Sequence, residues 1–334
     1  MRAFAFFAVL TGLAAASPTP TEDGPLDART IGKRAAITDA CTIGYCTQNG
    51  GTTGGTGGTT TTVSTLPQLT AVANATGAYV ILVSGAISGA AKVEVGSDKS
   101  IIGLAGSSLT GIGLTILGQS NVIVRNMKIS KVLADYGDLV TIQKSSNVWI
   151  DSNDLSNDLD HDKDYYDGLV DTVHASEWVS ITNNYFHDHQ QQQWKGCLVG
   201  HSSDNEAEDL GHLHVTFAYN WWNNINSRTP MYRFGTGHLY NSYYSNLIDT
   251  AINTRDLAEV LVESSVFENC PKKAIFTDDN TYEGYAVVND VDLGGSQNLA
   301  PEGNLTSVPY SYTLLGSANV KAYVTANAGQ LLSF

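Results

Sequence analysis

Beyond residue 78 the chain settles into short runs in which apolar and polar residues alternate, and the runs recur. Asn121-Val-Ile-Val-Arg-Asn126 is followed by Asn147-Val-Trp-Ile-Asp-Ser-Asn153, Trp178-Val-Ser-Ile-Thr-Asn-Asn184 and His214-Val-Thr-Phe-Ala-Tyr-Asn220. His238-Leu-Tyr-Asn241 and Glu259-Val-Leu-Val-Glu263 are weaker echoes. Aligned on Val122, Val148, Val179, Val215, Leu239 and Val260, the units stand 26, 31, 36, 24 and 21 residues apart. Each joins a period-two strand to a turn-prone polar corner, with no helical pattern between, which marks a stacked all-β architecture. A propeller blade needs about forty residues and four strands per repeat. Two or three short strands per turn predict a parallel β-helix instead. Asn at equivalent corners can stack as a ladder and tolerate left-handed backbone. The two widest gaps, 148–179 and 179–215, predict the longest loops, and loops on a rigid scaffold are where chemistry concentrates.

Upstream of the repeats the pattern differs. Residues 47–62 are almost entirely Gly and Thr, a composition that reads alone as a flexible linker and also fits a rim or capping segment of a β fold. A phosphate cradle is excluded, because no Gly-Lys-Ser/Thr end follows. Leu66–Ala73 carries apolar residues at helical spacing, with Ser64 or Thr65 as its cap. Residues 1–34 read as a leader. Arg2, the apolar run from Ala3 to Leu13 and Ala14-Ala15-Ala16 make a secretory signal over 1–16. A propeptide over 17–34 then ends at dibasic Lys33-Arg34, leaving a working domain of 35–334. No other apolar run is long enough to cross a bilayer. The expectation is a secreted, extracellular monomer with no membrane partner.

Charge narrows the partners. The chain holds 18 Lys and Arg against 33 Asp and Glu; without residues 1–34 these become 14 and 30, a net of −16. Such a balance disfavours nucleic acid, whose binding relies on Lys and Arg releasing counterions. Asn74-Ala-Thr and Asn304-Leu-Thr are glycosylation sequons. Cys41, Cys46, Cys197 and Cys270 allow three pairings, among which sequence does not choose, although Cys41 and Cys46 are close enough for a small loop.

Against this acidic background, Asn226-Ser-Arg-Thr-Pro-Met-Tyr-Arg233 places two cations five apart. Pro230 fixes its own backbone angle and biases Thr229 toward an extended conformation, so Arg228 and Arg233 sit on a stiff segment suited to an anion. Asp138, Asp167 and Asp171 supply the acidic part. Asp167 and Asp171 share one face of a straight strand, roughly 13 Å apart, so meeting on one ion requires a bend that Gly168 could provide. Calcium takes six to eight oxygens, which three carboxylates with water and substrate would furnish. Taken singly, each Asp reads as a solvated loop acid; Asp135 would add an outer ligand. The run Asp158-Leu-Asp-His-Asp-Lys-Asp164 reads as a solvated loop rather than a second ion site. His187 with His189, and His212 with His214, would face the same way on a strand, but neither pair has the further ligands zinc needs. Trp221, Trp222, Tyr240, Tyr243 and Tyr244 read as core and ladder residues.

Together these segments resemble polysaccharide lyase family 1, the pectate lyases, over about residues 60 to 300, and especially its secreted fungal members. The likeness is carried by the Asn-x-Arg-x-Pro-x-x-Arg string, by Asp138 to Asp171 with Asn147-Val-Trp-Ile-Asp151 between, and by Gln193-Trp-Lys-Gly-Cys-Leu-Val-Gly200. One departure is Ser152, where the family's Val-Trp-Ile-Asp runs on to His. The resemblance implies a right-handed parallel β-helix with a short capping helix and side loops. It also implies calcium-dependent β-elimination of polygalacturonate, giving 4,5-unsaturated oligogalacturonates. Calcium would sit on Asp138, Asp167 and Asp171, with Lys195 and Arg233 on uronate carboxylates and Arg228 taking the C5 proton. A polyuronate would be repelled by so acidic a protein unless a cation or a local basic strip intervened, a conflict that predicts a divalent metal at the site. A free guanidinium is protonated at ordinary pH, so Arg228 needs neighbouring cations and alkaline conditions to act as a base.

Three rival readings remain at this level. A calcium-independent pectin lyase of the same superfamily would carry a basic residue at the metal position, against which the three Asp argue. A polygalacturonase-type hydrolase needs paired carboxylates with room for water, and no such paired motif is present. A non-catalytic β-helix carbohydrate-binding protein explains the repeats, but not Arg228, Arg233, Lys195 and three acids appearing together.

Overall fold

The computed structural model describes residues 33–162, 164–189, 195–278 and 281–334. The expected signal and nearly all of the propeptide lie outside the described residues. Lys33–Arg34, the expected dibasic site, forms an exposed two-residue strand paired in parallel with Leu332–Ser333.

The described chain winds as a parallel β-solenoid of about 10 turns, as the repeats predict. Its strands stack in three parallel ladders. The longest passes through Ser120–Arg125, Ser146–Asp151, Glu177–Thr182 and His214–Ala218. In it Val122 lies opposite Val148, Val148 opposite Val179, and Val179 opposite Val215, all with no solvent exposure. Burying each such aliphatic side chain contributes about 1.5–3 kcal/mol.

The next two units correct the alignment. Val215 pairs with Gly237, not Leu239, and Gly237 pairs with Val260. The repeat slips by two residues because the Tyr232 ring fills the space; a Cβ on Gly237 would lie 2.7 Å from Tyr232 Cζ. A missing side chain is invisible to an apolar pattern. Another interior column is aromatic: Phe186, Trp222, Tyr244 and Phe267 stack coil upon coil at centroid spacings of 4.2, 6.0 and 4.3 Å.

The corner ladder forms, with its two roles divided between adjacent residues. The Asn153 amides donate to Asn184 Oδ1, and those of Asn184 donate to Asn220 Oδ1. The left-handed residue is the one before each rung: Ser152, Asn183 and Tyr219, with φ of 57°, 54° and 59°. The Gly/Thr segment is a cap on this scaffold. Asn121 Oδ1 accepts from the Thr53 and Gly54 amides, while Asn147 Nδ2 donates to the Gln48 and Gly51 carbonyls. The helix Leu66–Ala73 is capped by the Thr65 hydroxyl and sends Leu69 and Ala73 into the core. Cys41 and Cys46 are disulfide-bonded; Cys197 and Cys270 are free thiols. Among the described residues no helix is long and apolar enough to cross a membrane.

The site lies on a second ladder. It runs through Ala86–Glu94, Ser108–Leu117, Val140–Gln143, Val170–Val173, Leu198–Val199, Met231–Arg233 and Ile252–Arg255.

Candidate active site

Asp138, Asp167, Asp171, Lys195 and Arg228 line one cleft on the outer face of this ladder. Their convergence depends on where the strands begin. Asp138 precedes Val140–Gln143, and the following strand starts only at Val170, so Asp167 and Gly168 belong to the turn before it. The straight-strand separation of Asp167 and Asp171 therefore never arises. Gly168 is the pivot: a Cβ there would meet Asp171 Oδ1 at 2.7 Å and Asp138 Oδ1 at 2.8 Å. Its amide donates to Asp138 Oδ1 at 2.9 Å, Thr141 Oγ1 donates to Asp138 Oδ2 at 2.7 Å, and the Leu198 amide donates to Asp171 Oδ1 at 3.0 Å.

Burial and mutual repulsion make this an acid pair held against its own charge. Burial, then repulsion from Asp167, raises Asp138 to about 6. Burial, then Asp138 and Asp167, pushes Asp171 well above the usual carboxylate range. No ion pair reaches either carboxylate among the described residues. Two desolvated carboxyls brought together around a bare glycine fit a cation, which would relieve the repulsion. Asp167 is engaged by a lysine, with Oδ1 3.2 Å from Lys195 Nζ. Accordingly no trio of His, Cys, Asp or Glu side chains is set as a closed metal-ligand group among the described residues.

Lys195 is held by a second acid that sequence reasoning passed over. Asp164, in the run read as solvated, lies 2.8 Å from Lys195 Nζ. Burial opposes the ammonium's charge, but Asp164 and Asp167 together raise its pKa above the ordinary lysine value. Other residues of that run are bonded too: Tyr166 OH donates to Asp158 Oδ2 at 2.7 Å, and His161 stacks on Tyr165 at 3.9 Å. Asp135 sits exposed on its own turn and does not line this cleft.

The arginines occupy the next coil. Arg228 adopts a left-handed φ of 59°, and the Thr229–Pro230 bond is cis. The Cys197 amide donates to the Arg228 carbonyl at 2.7 Å, and the Thr229 amide donates to the Ala251 carbonyl at 3.1 Å. These bonds hold a conformation costing roughly 1–2 kcal/mol outside glycine. Burial lowers the Arg228 pKa; Asp171 opposes that shift and Arg255 adds to it. Among the described residues its guanidinium has no ion-pair partner. Arg233 Nε lies 3.3 Å from Asp256 Oδ2, and its Nη1 donates to the Gly200 carbonyl at 3.3 Å. Burial, then Arg255 and Arg228, lowers its pKa as well.

Several neighbours had no sequence signal strong enough to find them. Arg255 pairs in register with Arg233 and is bound by Asp278. His174 and His201 stack at 4.9 Å at one side of the cleft. The histidine pairs are held by carboxylates. His212 and His214 both reach Glu177, at 3.0 and 2.8 Å, whereas His187 bonds Asp154 and Asp188. His189 does not share the face of His187, because Asp188 has a φ of 49° and turns it into the interior.

Known proteins share this design. Residues 26–332 match the family model described as pectate lyase. The pectate lyase plyB of Emericella nidulans is 55% identical over 97% of this chain and 98% of its own. Pectate lyase B of Colletotrichum gloeosporioides is 58% identical over 95% of this chain and 94% of its own. Among solved structures, pectate lyase Bsp165PelA from Bacillus sp. N165, in complex with trigalacturonate, superposes with a TM-score of 0.77. It is 28% identical and covers 86% of this chain and 98% of its own. A parallel solenoid with an acid pair and Arg228 in one cleft, matched along nearly its whole length by such enzymes, makes this chain an enzyme of the pectate lyase family.

Proposed function

We propose that the enzyme cleaves polygalacturonate by calcium-dependent β-elimination, with Arg228 as the base. The observation that carries this is the unpaired Arg228 guanidinium in the same cleft as the Asp138–Asp171 pair. Asp138, Asp171 and, once released from Lys195, Asp167 would hold the calcium ion. When bound, calcium would draw charge from a uronate carboxylate and acidify the neighbouring C5 hydrogen. The bound trigalacturonate of the Bacillus relative supports a uronate substrate.

Within that frame each residue has a distinct task. Arg233, fixed by Asp256 and the Gly200 carbonyl, presents its fork to a substrate carboxylate, and Lys195 offers a point contact. Arg228 removes the proton from C5. The C5–H electron pair forms the C4–C5 double bond as the C4–O bond breaks, leaving a 4,5-unsaturated sugar end. The departing oxygen takes a proton from solvent to become a free hydroxyl. Burial and Arg255 favour the neutral guanidine this requires, and alkaline solution favours it further. No attacking water is used.

Exposed Asn74 and Asn304 are the proposed glycan sites, consistent with a leader that directs secretion of a monomer. The test is ultraviolet absorbance of the unsaturated product from polygalacturonate at about pH 8–9, with calcium and then with excess chelator. The expected result is a rise with calcium that chelator abolishes, and loss of about 10²–10⁴ in kcat for Arg228→Lys. A chelator-insensitive rise that favours methyl-esterified pectin would overturn the metal site.

A further inference from the structure

The cleft has one more cation, two coils away from the acid pair. Lys92 lines the same wall as Asp138 and Arg228 but sits on the strand Ala86–Glu94, toward the N-terminal end of the solenoid. Its register partner is Gly113, and a Cβ on Gly113 would lie 2.6 Å from the Asp138 carbonyl oxygen. The floor between Lys92 and Asp138 is therefore bare backbone. Strand spacing puts the two about 10 Å apart along the solenoid axis.

Ion pairing separates Lys92 from the other lysines nearby. Lys128, Lys131, Lys144 and Lys195 each have a carboxylate within 3.6 Å. Lys92 has none within 4 Å among the described residues, even though Glu94 follows it on the same face. In a protein this acidic, an exposed ammonium on the wall of a cleft without an acid partner is available to an external anion. Beyond the cleft, on the C-terminal side of Arg228, the arrangement is reversed. Arg255, in register with Arg233, is ion-paired with Asp278 on the next coil.

We infer that Lys92 is a distal uronate-binding residue, holding the carboxylate of a sugar that lies beyond the Gly113 floor. The polymer then extends from the bond-breaking centre toward the N-terminal coils. The enzyme gains affinity from chains long enough to reach Lys92 and none from shorter ones. This rests on the polygalacturonate reading above.

The experiment compares wild type, Lys92→Ala, Lys92→Glu and Lys92→Arg on trigalacturonate, hexagalacturonate and polymer. A partly exposed ion pair predicts a roughly three- to fivefold rise in KM on hexamer and polymer for Lys92→Ala, with kcat held. The rise should be larger for Lys92→Glu, reversed by Lys92→Arg, and diminished at high salt. KM that is unchanged at every length overturns the inference. An equal change on the trimer also overturns it, because Lys92 would then act on the central site through its charge. Wild type inactive on every uronate would overturn the substrate reading instead, leaving the two failures distinct.

Discussion

Gly196 lies flat against the backbone of Arg228. A Cβ at Gly196 would stand 2.3 Å from the Arg228 carbonyl oxygen and 2.5 Å from that of Ser227. The Gly196 amide also donates to the Ser227 carbonyl, at 3.2 Å. The clash is with backbone, which has no rotamer to escape into, so Gly196→Ala must move one coil against the next. Overpacking of this kind costs about 1–3 kcal/mol. The proposed base would shift with its main chain, and an ångström of misplacement can cost about 10²-fold in rate. Thermal unfolding together with kcat on polygalacturonate measures both; a folded variant of full kcat would show that Arg228's placement tolerates the shift.

Gly168 presents the opposite case, because its close neighbours are side-chain tips. The Asp171 and Asp138 oxygens at 2.7 and 2.8 Å can swing aside, so Gly168→Ala should cost little stability. What it should lose is the convergence of the two carboxylates. Calcium affinity, measured by calorimetry without substrate, is expected to fall about 10- to 100-fold, the range for removing support from metal ligands. Unaltered affinity would mean that the ion is held elsewhere.

The Asn ladder predicts stability rather than chemistry. Asn184 is fully buried; its amide nitrogens donate to Asn220 Oδ1 and the Ile150 carbonyl, and its Oδ1 accepts from Asn153. Asn184→Ala leaves the Asn153 amides and the Ile150 carbonyl without these partners in the interior. At about 1–3 kcal/mol for each unsatisfied group, with partial relaxation, the expected loss is roughly 3 kcal/mol. Denaturant unfolding tests it, and Asn184→Asp should fare little better because a carboxylate cannot donate to Ile150.

The solenoid was legible because its interior columns reuse one residue type at one register: Val122, Val148, Val179 and Val215. Legibility ended where a column is completed by something other than its own side chain. Gly237 gives its space to Tyr232, so alignment on Leu239 fell two residues off. Similarly, period two failed at His187 and His189, since one left-handed residue, Asp188, reverses the face and nothing local in Asp announces it. The cleft's main side chains could be named from motifs spanning 138–233. Their support could not, because it is non-local: Asp164 reaches Lys195 across the coil, and Asp256 reaches Arg233 from the next one. The Gly/Thr segment was ambiguous for a related reason. Its order comes from Asn121 and Asn147, far along the chain.

Far from the cleft, His238 ties together the coils that close the fold. It has no solvent exposure, with Nε2 3.0 Å from Glu263 Oε2 and Nδ1 2.8 Å from Tyr310 OH. The same Tyr310 hydroxyl lies 2.7 Å from Thr216 Oγ1, which accepts from the Tyr45 amide at 3.0 Å. Burial lowers the imidazole to about 4, although Glu263 pulls the other way. An unfolded His titrates near 6.5, so as pH falls the unfolded chain takes up its proton first. The neutral His238 therefore stabilises the fold fully above about pH 6.5, and that contribution drains away between 6.5 and 4. Its ceiling is roughly 3 kcal/mol. Buried His189, also lowered to about 4, adds a slope of the same sign, whereas the raised Asp138 and Asp171 oppose it. His238→Gln keeps a donor and an acceptor in place without a titrating proton. Its stability, followed by denaturant unfolding from about pH 7 to 4, should lose up to roughly 3 kcal/mol less than that of wild type. Parallel slopes for the two proteins would mean that folding leaves the His238 pKa at its unfolded value. A wild type that falls less steeply than the variant would mean that His238 is held charged by Glu263.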